Sequence, residues 1–491
     1  MTSTPTLMRR LVGAAAVVAI VAACSAKDLD LNNPNSPTVG GANADPTALQ
    51  LLTTGLIVDQ RTTRSPFITN AGVLGRESYT FSPTEGRNVT HPLIGIVVGG
   101  VQKLDPTGFA TGPWTQPYAA LRDVFNYKTT INAHPTLSAA QKSAALGFAG
   151  TIEALMVFEI VQTHDTLGGI TEIKAGPTDL APFVSRDSMY KFILGTLDDA
   201  IGKLAAGGAA FPFTLPGGFA GFNTPANFAK FTQALKAKAA AHYATAGGGT
   251  AAWNTALTAL SASFLNAAAT TRAAFDVGVY DTYAPSPDTP NPLTQATNTN
   301  LYAHMSFQAD AQLKANGAPD DRYTAKIRTG LESRSGPLSN GAPTTGTSTH
   351  GFSIWPTTSS PIPIIRNEEL ILLRAEARLA TGDKTGAIAD LNIVRQNSGG
   401  LPASTLTAAS TNDEILMGIL YEKRYSLMME GVRWIDMRRY NKLNLLPLDV
   451  ATGANKNFVA KVNPIPQAEC LARAGLTGDL LGPNGLNNCA P

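Results

Sequence analysis

Residues 372–394 read as two helices folded back on each other about a Gly382-Asp383 turn. Apolar residues recur three or four apart on both arms. Ala375, Ala377, Gly382, Ala387 and Ala389 fall where small side chains let two helices approach closely. One such hairpin cannot cover its own apolar face, so several must stack before a core exists. That requirement predicts a mainly α chain of stacked tetratricopeptide-like hairpins. Spacing predicts further helices over 46–58, 114–132, 138–163, 185–204, 224–246 and 251–268, and one entered from Ile362 and running to Ala380. The longest helix is expected from Thr411 to Asn441. Asp45 stands as an N-cap with Pro46 in the first helical position, and Ser138 caps the helix after it. Residues 60–112 and 275–361 are rich in Gly, Pro, Ser and Thr, without a clear period. They are expected to be long irregular insertions with few short strands, and loops of that length are often functional. The expected body is a single unit over 46–491, with hairpins at about 114–268 and 362–441.

Hydrophobic residues make up 44 % of the chain, enough for a large core. Lys plus Arg number 38 against 36 Asp plus Glu, a balance that offers no basic face for nucleic acid.

The N-terminus carries an address. Arg9 and Arg10 precede an apolar run from Leu11 to Ala22, too short to span a bilayer, which takes about 20 residues. The run ends in Val21-Ala22-Ala23-Cys24, the order of a bacterial lipobox. Residues 1–23 are then a lipoprotein signal peptide, Cys24 is the lipidated first residue, and 24–45 form a tether rich in Asn and Pro. Several acyl chains on Cys24 hold a protein stably on a membrane, where one chain holds it only marginally. Removing the leader deletes two Arg and no acid, leaving 36 basic and 36 acidic residues. The other cysteines, Cys470 and Cys489, lie close together in sequence near the C-terminus. An exported chain points to a disulfide between them, with two free thiols as the alternative.

Three segments resemble the SusD/RagB family of nutrient-uptake outer-membrane lipoproteins. The first is the lipobox with Cys24-Ser25-Ala26-Lys27-Asp28-Leu29-Asp30. The second is Arg366-Asn367-Glu368-Glu369 leading into 370–377, the Gly-Asp turn and 387–395. The third runs from Glu422-Lys423-Arg424-Tyr425 through Glu430-Gly431-Val432-Arg433-Trp434-Ile435-Asp436 to Tyr440. Asn463-Pro464-Ile465-Pro466-Gln467 is similar to the family's closing segment. Lys423 and Ser426 depart from the pattern, where the family usually has Arg and Glu, and put one ion pair in doubt. The resemblance implies a lipid-anchored outer-membrane protein at the cell surface. It would capture oligosaccharides, or peptides in some relatives, for a SusC-type TonB-dependent transporter. Lys27 and Asp28 are similar to a surface-export signal.

On one helix, Glu422, Arg424, Glu430, Arg433 and Asp436 would alternate charge at spacings that share faces. That mixture reads as a structural ion-pair network, with Gly431 allowing close approach of a neighbour, and not as a catalytic pair of Glu430 and Asp436. The six His show no metal-ligand spacing, and His164 at a helix end reads as a cation complementing the dipole. No Gly-x-Ser-x-Gly elbow or complete phosphate loop is present. No enzyme, metal or cofactor is expected. A hydrolase would need a carboxylate pair in a cleft, and Glu77 with Glu85 is such a pair only on paper.

Binding remains. Sugar C–H faces stack on aromatic rings, while amides, carboxylates and Arg bond the hydroxyls. Two loop segments combine these groups. One holds Arg76, Tyr79, Phe81, Arg87, Asn88 and His91; the other holds Tyr280, Tyr283, Tyr302 and His304. Arg76, Tyr79, Phe81, Arg87, Asn88, Tyr280, Tyr283 and Tyr302 are the expected ligand contacts. The alternative is a tetratricopeptide-like scaffold lipoprotein holding protein partners in envelope assembly. The long insertions favour capture, because a scaffold has no need of them.

Overall fold

The computed structural model describes residues 46–176, 179–295, 298–338 and 343–474. The signal peptide, Cys24, the tether, Asp45 and Cys489 lie outside them. Cys470 is disulfide-bonded.

The first helix, α1, spans Pro46–Leu74 and overturns the expectation of a loop from residue 60. Its middle turn carries Arg61, Thr63 and Arg64, which conceal the apolar period, yet all three are buried. Arg61 pairs with Asp288 at 2.6 Å, Arg64 with Glu159 at 3.2 Å, and Thr63 donates to Glu159 at 2.7 Å. Polar side chains that find partners inside can continue a buried helical face.

Helices α2 (Arg87–Leu93), α3 (Gly112–Ala133), α4 (Ala139–His164), α5 (Arg186–Ala205), α6 (Pro225–Tyr243) and α7 (Gly249–Ser261) follow. From α3 to α7 each helix packs on the next, and α1 packs on α3. Ser138 caps α4 in a reciprocal box with Gln141. By length and composition α4 could cross a membrane, but 89 % of its apolar window is buried within the protein, so it serves as the core helix. A π-helical turn, Ala244–Gly248, joins α6 to α7, and Gly247 at φ 130° reverses the chain there.

Strands are short and all pair antiparallel: β1 (Ser78–Thr80) with β5 (Leu301–Ala303), β2 (Ile96–Val98) with β3 (Val101–Lys103), and β4 (Gly278–Asp281) with β10 (Ile362–Arg366). The remaining short strands, β6 to β9, lie between Ile327 and Phe352. The run from Ile362 is therefore a strand first. Helix α8 begins at Asn367 and ends at Ala380. Helix α9 (Lys384–Asn397) is capped by Asp383, and packs on α8 across Gly382, whose φ is 94°. Ala375, Ala377 and Ala387 are buried in this hairpin, whereas Ala389 is exposed. Asp390 of α9 reaches back to Arg374 at 2.6 Å and Arg378 at 3.0 Å. Helix α8 also packs on α6 and α7 and so joins the two helical blocks. The fold is mainly α with short strands.

The expected longest helix is broken. Helix α10 spans only Asn412–Ser426, Met429 and Gly431 take φ of 57° and 77°, and α11 spans Arg433–Arg439. Gly431 sits against the Phe67 ring, so close that an added methyl would collide with it.

Candidate functional site

The fold brings the two loop segments together. Tyr79 of β1 stands opposite Tyr302 of β5. Their aromatic rings turn inward. Tyr79 stacks on Phe81 at 4.7 Å and on His304 at 5.0 Å, and Phe81 tilts on Tyr302 at 5.7 Å. With Val73, Val89 and Leu93 they form a buried satellite core. Tyr79 donates its hydroxyl to Asp449 at 2.8 Å. Arg76 is buried as well, with its guanidinium spent on the carbonyls of Val73, Leu74, Pro447 and Phe458. Tyr283 is buried under the Arg61 guanidinium, 5.2 Å from the ring centre. These positions correct the expectation of an open platform for Arg76, Tyr79, Phe81, Tyr283 and Tyr302. Two-stranded ribbons this short are stable only when one face is covered, and the rings supply that cover. Arg87, Asn88 and Tyr280 remain accessible. Tyr280 edges a separate hollow of about 340 Å³ beside Gln50, Arg61 and Asp288.

Asn88 belongs to a cleft of about 140 Å³ between α1, α2 and the loop after β3. Helical periodicity builds two of its walls. Pro66, Thr69, Asn70 and Val73 are one face of α1; Asn88, His91 and Pro92 are one face of α2. Leu104, Asp105 and Phe109 close the third side. Phe109 is 48 % exposed, a large apolar ring left open to solvent. His91 tilts against it at 5.4 Å, and the Arg87 guanidinium lies 5.3 Å from its centre. Asp105 fixes the loop by accepting the Thr107 N–H and hydroxyl at 2.8 and 2.7 Å. Asn463 of the closing segment donates to Asn70 at 2.9 Å and steadies the cleft floor. Gly108 leaves room for the His91 ring, which a methyl group there would strike. The result is an aromatic ring ringed by amide, imidazole and carboxylate groups, chemistry suited to a polar molecule with an apolar face. Sequence reasoning missed Phe109, Asp105 and Asn70. Phe109 had a signal, since an aromatic two residues after Pro106-Thr107 in a Gly-containing turn has no strand or helix to bury it.

The charged motif is structural, with partners other than those its spacing suggested. Arg322 bridges Asp320 at 2.6 Å, Glu422 at 2.7 Å and the Ser426 hydroxyl at 3.0 Å, and Arg395 adds a second contact to Glu422 at 2.9 Å. Arg424 reaches Asp310 at 2.5 Å, Glu430 holds Arg366 at 2.7 Å, and Arg433 donates to the Gly75 carbonyl at 3.0 Å. Asp436 binds Lys423 at 2.6 Å and Arg439 at 2.8 Å. The two departures from the family pattern thus leave no gap. Lys423 also meets Glu376 at 2.6 Å, and Ser426 donates to Glu368 at 2.7 Å. Glu430 lies in the turn that breaks the helix and Asp436 in α11 beyond it, each against its own cations. Glu77 is buried, with its carboxyl pushed up to about 7 by burial. Glu85 is at the surface against Arg87, which holds it down to about 2. His164 is no surface cation. It is buried, burial pushes its pKa down to about 4, and its Nδ1 lies 3.1 Å from the Ile160 carbonyl.

A sequence model of the SusD family matches residues 272–472. A SusD-like protein of Formosa agariphila is 36 % identical over 88 residues, 16 % of this chain and 17 % of that protein, so the match spans about a sixth of the relative's length. A SusD superfamily protein from Bacteroides vulgatus superposes with a TM-score of 0.62 at 14 % identity, over 87 % of this chain and 97 % of that one. The Bacteroides fragilis NanU structure superposes with a TM-score of 0.60 at 15 % identity, over 90 % and 99 % of the two chains. At these identities the structural likeness establishes a shared fold.

Proposed function

The chain belongs to the SusD/RagB family, and on that premise we propose that it is a lipid-anchored nutrient-binding protein of the outer membrane that captures oligosaccharides for a SusC-type TonB-dependent transporter. The observation that carries this reading is the half-exposed Phe109 ring set among Asn88, His91 and Asp105 in a cleft of about 140 Å³. That space suits one sugar ring of a chain whose remainder lies outside. The Phe109 face supports the C–H side of the ring, and the amide, imidazole and carboxylate serve its hydroxyls. The role is binding without turnover, and stacked tetratricopeptide-like hairpins serve as the frame behind the cleft.

Glycan-array screening followed by titration calorimetry tests the reading, with a short-peptide library as the competing arm. Phe109→Ala is expected to weaken glycan binding about tenfold with unchanged Tm. Glycan affinity indifferent to Phe109→Ala and Asn88→Ala would remove the cleft from the role. Affinity for peptides alone would replace the ligand class. Co-purification of a TonB-dependent barrel in mild detergent is the expected partner result.

A further inference from the structure

A larger cleft of about 510 Å³ lies where the ends of α4 and α6, the start of α5, helix α11 and Lys461-Val462 meet. Its charged lining is mostly cationic: Arg186, Arg438, Arg439 and Lys461. Asp165 is the one acid among the lining residues, and it is shared. Arg186 holds it at 2.8 Å and Arg438 approaches at 3.6 Å. Arg439 is balanced by Glu376 and Asp436, but Lys423 draws on the same two carboxylates. The cleft therefore keeps a positive surplus from Arg186, Arg438 and Lys461 against Asp165 alone.

Two buried polar atoms at this wall have no hydrogen-bond partner among the described residues, His242 Nε2 and Arg439 Nη1. His242 is 3 % exposed, and the Arg439 side chain 6 %. A buried donor left unpaired is costly, and such groups recur where a ligand completes the set. The field agrees with the geometry. Burial first, then Arg439, Lys238, Lys423 and Arg438, hold His242 neutral. Burial also lowers the Arg438 pKa, and Arg186 and Arg439 add to that while Asp165 opposes it.

We propose that this cleft is a binding site for a small polar molecule bearing an oxyanion, of mono- to disaccharide size. The oxyanion lies among Arg186, Arg438 and Lys461, beside the wall that His242 and Arg439 form. Arg186 and Arg438 also donate to the carbonyls of Ala246, Lys461 and Gln162, so they draw a carboxylate or sulfate group by charge and not by a bidentate grip. The volume far exceeds one inorganic ion, so the rest of the ligand carries hydroxyls or amides. A sugar acid and a peptide C-terminus share this chemistry. The site is built from elements other than those of the Phe109 cleft and does not rest on the function proposed for it.

The full chain in mild detergent is titrated with sodium D-glucuronate, glycylglycine, sodium sulfate and, as the neutral control, D-glucose. At least one anionic probe is expected to bind and glucose is not. The His242 ring resonances shift on binding. Lys461→Gln, at an exposed position that cannot unfold the chain, and Arg186→Gln, checked by its Tm, each weaken the anion about tenfold. Phe109→Ala leaves it unchanged, which separates this site from the other cleft. Glucuronate alone identifies a sugar acid, and glycylglycine alone a peptide terminus. No anionic binding below about 20 mM, far weaker than charge-assisted recognition gives, overturns the proposal. Binding that ignores both Lys461→Gln and Arg186→Gln does so too.

Discussion

Glu77 accepts the Met429 N–H at 3.2 Å in the turn that breaks the expected long helix. Burial pushes its carboxyl up to about 7, with Arg433 the chief opposing charge. Burial likewise pushes Asp281 up to about 6, opposed by Arg64. A carboxyl that holds its proton more tightly when folded contributes stability below its unfolded pKa and loses it as pH rises through the folded value. Between pH about 4.5 and 7 Glu77 should therefore cost about 3 kcal/mol, from two to three pKa units at about 1.4 kcal/mol each. Glu376 acts in the opposite sense. Arg439 and Lys423 hold it down to about 2, so its contribution is lost only as pH falls below about 4.5. Urea unfolding at pH 5, 6, 7 and 8 should show stability falling with pH in the native chain and a flatter profile in Glu77→Gln. Equal slopes would mean that Glu77 ionises normally. The same scale decides Lys423, enclosed by Glu376 and Asp436 and 3 % exposed. Lys423→Met leaves two buried carboxylates to the charge of Arg439 and the Tyr440 hydroxyl, and about 3 kcal/mol of stability should go with it.

At the scale of elements, the break between α10 and α11 rests on two left-handed residues, Met429 and Gly431. Gly431 has φ 77° and faces Phe67 of α1. Gly431→Ala should cost about 1–2 kcal/mol for the left-handed backbone alone, and more for the displaced ring. Gly55 is the control, inside α1 with open space where a Cβ would stand. Gly55→Ala should stabilise by about 0.5–1 kcal/mol. Thermal melts of the two variants should move in opposite directions. These elements also show how far pattern carries. The starts of α4 and α10 were legible, and Ser138 and Thr411 close them with reciprocal caps. The second half of α1 was not, because Arg61, Thr63 and Arg64 read as surface until Asp288 and Glu159 arrive from distant segments.

Across the whole molecule, α1 is the shared member of two cores. Leu49, Leu56 and Ile57 belong to the core around α4, and Phe67, Ile68, Ala71 and Leu74 to the core around Trp434. Tryptophans report on each side: Trp114 and Trp253 in the first core, Trp355 and Trp434 in the second. Unfolding followed by Trp fluorescence and by far-UV circular dichroism should coincide in the native chain. Thr62→Pro, at an exposed position midway along α1, removes a helical hydrogen bond there at a cost of about 3 kcal/mol. It should split the transition in two. Coincident curves in the variant would mean that α8 couples the cores without α1. The proposed anchor belongs to this scale too, and Cys24→Ala should move the protein from the membrane fraction to the soluble one.

Local pattern is enough for the kinds of parts: helices whose period and caps are local, the close-packed hairpin at 372–394, and a family likeness written in contiguous motifs. These follow from interactions within a few residues, which one stretch of chain contains whole. Which aromatics face inward was settled by long-range packing. Tyr79, Phe81 and Tyr302 have the same chemistry as Phe109, and only strand pairing across more than two hundred residues buries the first three and leaves the last half-open. It also decided the partners of every charge in the 422–436 motif, since side chains that lie together on a helix diagram were parted by a turn that Phe67 and Gly431 make together. Burial and pairing depend on what arrives from elsewhere in the chain, and no local pattern records that.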